Sequence, residues 1–183
     1  MIEFRRTLPR ALLVMAGIGL STAALAATTE AEYRAAKDRA DAEYKVARDR
    51  CDTLAGNDKD VCVLQARAER VRTRAQAEAA YKDTPKARAA AEKDIAGANY
   101  KLSRERCDAL AGNAKDVCVA QAKAARDKSL ADASAGRKAA EARSEAAQTR
   151  RDADYKVARE RCDSLAGAAK DQCVAEAEAR FKQ

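Results

Sequence analysis

Three stretches of this chain are near copies of one another, and that repetition restricts what the chain can fold into. They read EYKVARDRCDTLAGNDKDVCVLQA from Glu43, NYKLSRERCDALAGNAKDVCVAQA from Asn99 and DYKVARERCDSLAGAAKDQCVAEA from Asp154. Their first cysteines, Cys51, Cys107 and Cys162, lie 56 and 55 residues apart. A period of that length accommodates two helical arms, so the pattern predicts a repeated helical hairpin.

Within each copy Tyr, Ala or Ser, Cys and Leu recur at intervals of three, four and three: Tyr44, Ala47, Cys51, Leu54; Tyr100, Ser103, Cys107, Leu110; Tyr155, Ala158, Cys162, Leu165. That is one face of an α-helix. Leu-Ala-Gly follows, and Gly56, Gly112 and Gly167 stand where a left-handed residue closes a helix. Asn57 and Asn113 come next as expected N-caps, with Asp60 and Asp116 in the first turn of a second helix. That helix presents Cys62, Val63 and Ala66; Cys118, Val119 and Ala122; and Cys173, Val174 and Ala177. Val61, Leu64 and Val71 lie off this face and are expected to contact a neighbouring hairpin.

Six cysteines in three equally spaced C-x10-C pairs call for structural disulfides: Cys51 with Cys62, Cys107 with Cys118, and Cys162 with Cys173. Each pair brackets one corner, and small alanines let the arms approach to the ~7 Å between Cα atoms that a disulfide needs. An unstrained bridge across so short a loop contributes ~3 kcal/mol. Metal binding is the sharper alternative, but zinc sites bring four ligands on shorter arms, and the chain has no histidine. A redox catalyst would place C-x-x-C at a helix start, and that spacing is absent here.

Val, Ile, Leu and Phe make up about a tenth of the residues after Ala26, well under the ~20% expected of a chain with a thick core. Abundant Ala, Lys, Arg, Glu and Gln favour helix instead. The expected fold is all-α: three consecutive disulfide-stapled hairpins at 27–84, 85–136 and 137–183, elongated or loosely bundled. Asp83-Thr84-Pro85 marks the first boundary, because proline belongs at a helix start. The second is placed at Ser134-Ala135-Gly136, although one glycine costs only ~1 kcal/mol and leaves a single long helix open as the alternative.

The amino terminus reads as an export signal over residues 1–26. A basic MIEFRRTLPR precedes an apolar run from Ala11, and the small residues Ala24 and Ala26 mark cleavage after Ala26. The apolar run is shorter than the ~20 residues needed to span a bilayer. Arg5-Arg6 weakly resembles a twin-arginine signal, but a chain needing disulfides suits the general secretory route. Removal of Arg5, Arg6, Arg10 and Glu3 with this leader lowers the formal charge from +7 to +5. The remaining charges alternate in sign over short distances, as on a solvated helical surface. No recognition module or aromatic platform accompanies them, so no nucleic acid partner is expected.

The stretches ERCDALAGNAKDVCVAQAKA and YKVARERCDSLAGAAKDQCVAEAEA resemble a group of proteobacterial periplasmic proteins rich in Ala, Lys and Glu with repeated C-x10-C hairpins. Some of these carry envelope-biogenesis names because their helices look like the helical spacer of the TolA envelope protein. The likeness to TolA itself is one of composition. The resemblance implies a periplasmic location and a helical fold.

No nucleophile and base recur together, and no glycine-rich phosphate loop occurs. The tyrosines are expected to cover the hairpin seam, and Lys59-Asp60 and its counterparts to serve helix electrostatics. The expected function is therefore non-enzymatic: a periplasmic or envelope protein acting as a structural, stress-protective or adaptor element. It would use no cofactor, and its partners would be envelope proteins or an anionic envelope surface. The alternative is a periplasmic metal-binding or thiol redox-buffering protein that uses the cysteine pairs.

Overall fold

The computed structural model describes residues 28–181, so the expected leader and its cleavage point after Ala26 lie outside the described residues. Five helices account for nearly all of this span: α1 (Glu30–Cys51), α2 (Gly56–Lys82), α3 (Pro85–Cys107), α4 (Gly112–Cys162) and α5 (Ala168–Phe181). The fold is all-α, and each of three disulfides joins a pair of consecutive helices. None of the described helices is long and apolar enough to cross a membrane.

Each helix packs only against its neighbours in the chain, α1 on α2, α2 on α3, α3 on α4 and α4 on α5. The hairpins therefore form a meander one helix thick instead of a closed bundle. The poverty in large apolar side chains explains this, because the buried positions are filled by alanines, by Cys51, Cys107 and Cys162, and by Leu102. Alanine seams bring helix axes close, and the outer faces carry too few large apolar side chains to bury against a second layer. No polar or charged residue among those described is buried.

The termini of the first helices follow from local chemistry. Thr29 caps α1 by accepting from the Glu32 N–H at 3.2 Å, while its own N–H donates to the Glu32 carboxylate at 2.7 Å, a reciprocal capping box. At the first junction α2 ends at Lys82, Asp83 turns left-handed with φ of 41°, and Pro85 opens α3. The Thr84 hydroxyl accepts from the Ala87 N–H at 3.1 Å. The expected break at Asp83-Thr84-Pro85 is therefore present.

The second junction differs from the boundary drawn at residue 136. Ser134-Ala135-Gly136 lies inside α4, which runs unbroken for 51 residues, about 75 Å at 1.5 Å per residue. Hairpins 2 and 3 thus share one helix, and three hairpins are built from five helices instead of six. The glycine alone does not oppose the helix strongly enough to stop it, because good helix formers stand on both sides.

Candidate functional site

The three stapled corners are the repeated feature of the molecule, and they are built alike. The bridges are Cys51–Cys62, Cys107–Cys118 and Cys162–Cys173, with Cα atoms 5.6, 5.7 and 5.7 Å apart. The first cysteine of each pair is fully buried, and no cysteine is free. All six positions thus pair as the sequence predicts.

The turn itself corrects four readings. The first arm stops at the cysteine, so Leu54, Leu110 and Leu165 do not extend its buried face. Each closes a tight turn by donating its N–H to the preceding cysteine carbonyl at 3.0 Å, and each side chain is 43–44% exposed. Gly56, Gly112 and Gly167 are left-handed, with φ of 55°, 56° and 54°, but they introduce the second arm and do not end the first. Nothing lies within 4 Å of where their side chains would be, so the demand for glycine comes from backbone conformation.

Asn57 is not an N-cap either. Ala55 and Ala111 occupy that position without a side-chain bond, and Asn57 instead donates from Nδ2 to the Glu105 carbonyl of α3 at 3.3 Å. This ties corner 1 to the end of hairpin 2. Asp60 and Asp116 lie beyond the first turns of α2 and α4, and the acidic residue in the first turn of α2 is Asp58.

The repeated Lys-Asp has a clearer role than first-turn electrostatics. Lys59 pairs with Asp52 at 3.0 Å, Lys115 with Asp108 at 2.8 Å and Lys170 with Asp163 at 2.8 Å. Each lysine reaches back across the turn to the aspartate that follows the first cysteine. Its hydrogen bond holds that carboxyl below the usual carboxylate range. These pairs are exposed, so they orient the corner more than they stabilise it.

The seam tyrosines lie where the spacing placed them. Arg70 sits over the Tyr44 ring at 5.1 Å and Arg126 over Tyr100 at 4.4 Å. Phe181, at the equivalent place in hairpin 3, lies against Tyr155 with centroids 6.3 Å apart. Hairpin 1 carries two further ties that the sequence reading missed. Arg70 and Arg74 both bind the Asp41 carboxylate, each with a contact of 2.6 Å, and the Arg70 hydrogen bond, then the Arg74 one, lowers its pKa. At the open end Tyr33 stacks on Tyr81 at 4.9 Å and 6°.

Leu64 and Val71 line an open groove of about 400 Å³ between α2 and α3, with Gly97 and Ala98 opposite, as expected of a contact between hairpins. Among the described residues no group of three or more His, Cys, Asp or Glu is arranged to hold a metal ion. No protein-family model, curated protein or solved structure matches the chain.

Proposed function

We propose that this protein is an exported, non-enzymatic helical scaffold of the periplasm or cell envelope, acting as a structural, stress-protective or adaptor element. The observation that carries this reading is the triplicated corner. Each corner devotes both cysteines to a bridge, its lysine to an ion pair and its glycine to the turn, which leaves a stiff helical meander with long polar faces. Its bridges suit an oxidising compartment, and the basic, apolar, small-residue order of residues 1–26 suits export. The partners are envelope proteins or an anionic envelope surface, consistent with the small net positive charge after Ala26. No cofactor is invoked.

The test is a count of free thiols in protein taken directly from the periplasmic fraction under acid quench, with the intact mass read in the same experiment. The scaffold reading expects essentially no free thiol and a chain beginning at Ala27. Free cysteine pairs, or metal that leaves on thiol alkylation, would favour the metal-binding or redox-buffering alternative. A mass that retains residues 1–26 would make the chain membrane-tethered.

A further inference from the structure

The repeats act as controls for one another, and they show a helix face whose counterpart elsewhere in the chain is covered. Leu102 of α3 is only 9% exposed, whereas its equivalents Val46 of α1 and Val157 of α4 are each 52% exposed. All three helices are first arms of stapled hairpins. What distinguishes α3 is that the second arm of the preceding hairpin, α2, packs against it. In hairpin 3 that preceding second arm is the N-terminal half of α4, and the first arm of hairpin 3 is the C-terminal half of the same straight helix. The two halves cannot meet within one chain.

Both halves nevertheless keep the residues of the α2–α3 contact. On α2 that contact uses Asn57 and Gln65, which bind the Glu105 carbonyl and Arg106. The N-terminal half of α4 has Asn113 and Gln121 at the equivalent positions, and the C-terminal half has Glu160 and Arg161. Ala68 and Ala91 are each 6% exposed, while their equivalents Ala124 and Ala146 are exposed. Val61 is half-buried, but its equivalent Val117 is 45% exposed.

These vacant positions share one side of the helix. At about 100° per residue, Val117, Ala124, Ala146 and Val157 fall within an arc of about 60°. Arg126, Ala133, Tyr155 and Cys162, which face α3 or α5, cluster on the opposite side. Neither packed helix therefore obstructs the vacant face.

We propose that the protein forms a two-fold dimer in which the α4 helices of two copies pack antiparallel, each copy supplying the neighbour that the other's straight helix cannot fold back to meet. In the α2–α3 register, Asn113 faces Glu160 and Gln121 faces Arg161 of the second copy. The axis then falls between Gly136 and Glu141, where the small residues Ala135 and Ala142 lie on the contacting side. This pairing fills two vacant faces per copy and closes on itself. Docking of α4 on the vacant Val46 face of α1 in another copy would be head-to-tail and would grow without closure.

Analytical ultracentrifugation of the oxidised chain from Ala27 to Gln183 tests the assignment. The expected result is a dimer that V117R and V157R each weaken at least tenfold, while V46R leaves it intact. Both valines are exposed in the single chain, so circular dichroism of the variants should remain helical. A photo-crosslinking side chain in place of Ala135 should join α4 to α4. A chain that stays monomeric across the micromolar range, or a dimer whose Ala135 crosslinks lie outside α4, overturns the proposal. So does an assembly that grows beyond two copies and that V46R, not V157R, dissolves.

Discussion

At Asp83-Thr84-Pro85 the chain reverses, and at Ser134-Ala135-Gly136 it continues straight, although both segments separate one stapled hairpin from the next. The first has three independent devices. Asp83 adopts the left-handed conformation and its N–H donates to the Ala79 carbonyl at 3.0 Å, Arg88 binds its side chain at 2.6 Å, and Thr84 and Pro85 start the next helix. The second has only a glycine, which weakens a helix without ending it. Ending a helix takes groups that satisfy its orphaned backbone, not merely a residue that dislikes it. The outcome at that one place decides whether hairpin 3 can lie beside hairpin 2.

The largest expected effect comes from forcing the second junction to behave like the first. Gly136→Pro should cost about 3 kcal/mol or more in denaturant unfolding, because it removes a hydrogen bond and clashes inside α4. Pro85→Ala, at a helix start, should cost well under 1 kcal/mol by the same measurement. Equal costs would mean that α4 is already broken in solution.

Next is the order in which the staples open. Each bridge contributes about 3 kcal/mol, but Cys162–Cys173 is backed by an α5 of only 14 residues, near the length at which lone helices are marginal. Stepwise reduction with alkylation and peptide mapping should find it reduced first. Should Cys51–Cys62 open earlier, Phe181 against Tyr155 holds the last arm better than the longer seam holds the first.

Smaller still is the cap at the first junction. Thr84→Ala should cost about 1 kcal/mol in thermal unfolding and loosen the start of α3 without changing the disulfides. An unchanged melting temperature would leave Pro85 and Asp83 sufficient for the turn.

The smallest effect is electrostatic and confined to hairpin 1. Because Arg70 and Arg74 depress the Asp41 pKa below 3.8, the pairing stabilises the fold fully above that pH and is lost as pH falls through the folded value. Asp41→Asn should therefore flatten the acid limb of a stability–pH curve and lower stability slightly at neutral pH. At the equivalent place hairpin 2 has Gly97, so Gly97→Asp gives the matching gain-of-contact experiment, with Arg126 as its only equivalent arginine.

What the sequence revealed divides along the range of the interactions. The staples are legible because both cysteines of a pair flank one turn, and the left-handed glycines because glycine takes that conformation without the steric cost that a side chain adds. The Thr29-x-x-Glu32 capping box is equally local and carries its own signal in the sequence. Asn57 reads as a cap because its partner, the Glu105 carbonyl, is 48 residues away, and an asparagine after a turn has the same local sequence whether it caps or crosslinks. Leu54, Leu110 and Leu165 fitted a helical period that continues in the sequence after the helix has stopped at cysteine. The length of α4 was undecided because a glycine's cost is comparable to the propensity of its neighbours.

Pairing neighbouring cysteines in strict chain order also bears on how the molecule is made. Of the 15 ways to join six cysteines, this one alone is reached by a polypeptide that is oxidised as it emerges amino terminus first, with each thiol taking the next to appear. On such a thread Cys51 would meet Cys62 before Cys107 is exposed, and Cys107 would meet Cys118 before Cys162, the pairs that the structure joins. A simple oxidase acting on the nascent thread would thus suffice, with no shuffling step to undo wrong crosslinks, and maturation would proceed one corner at a time.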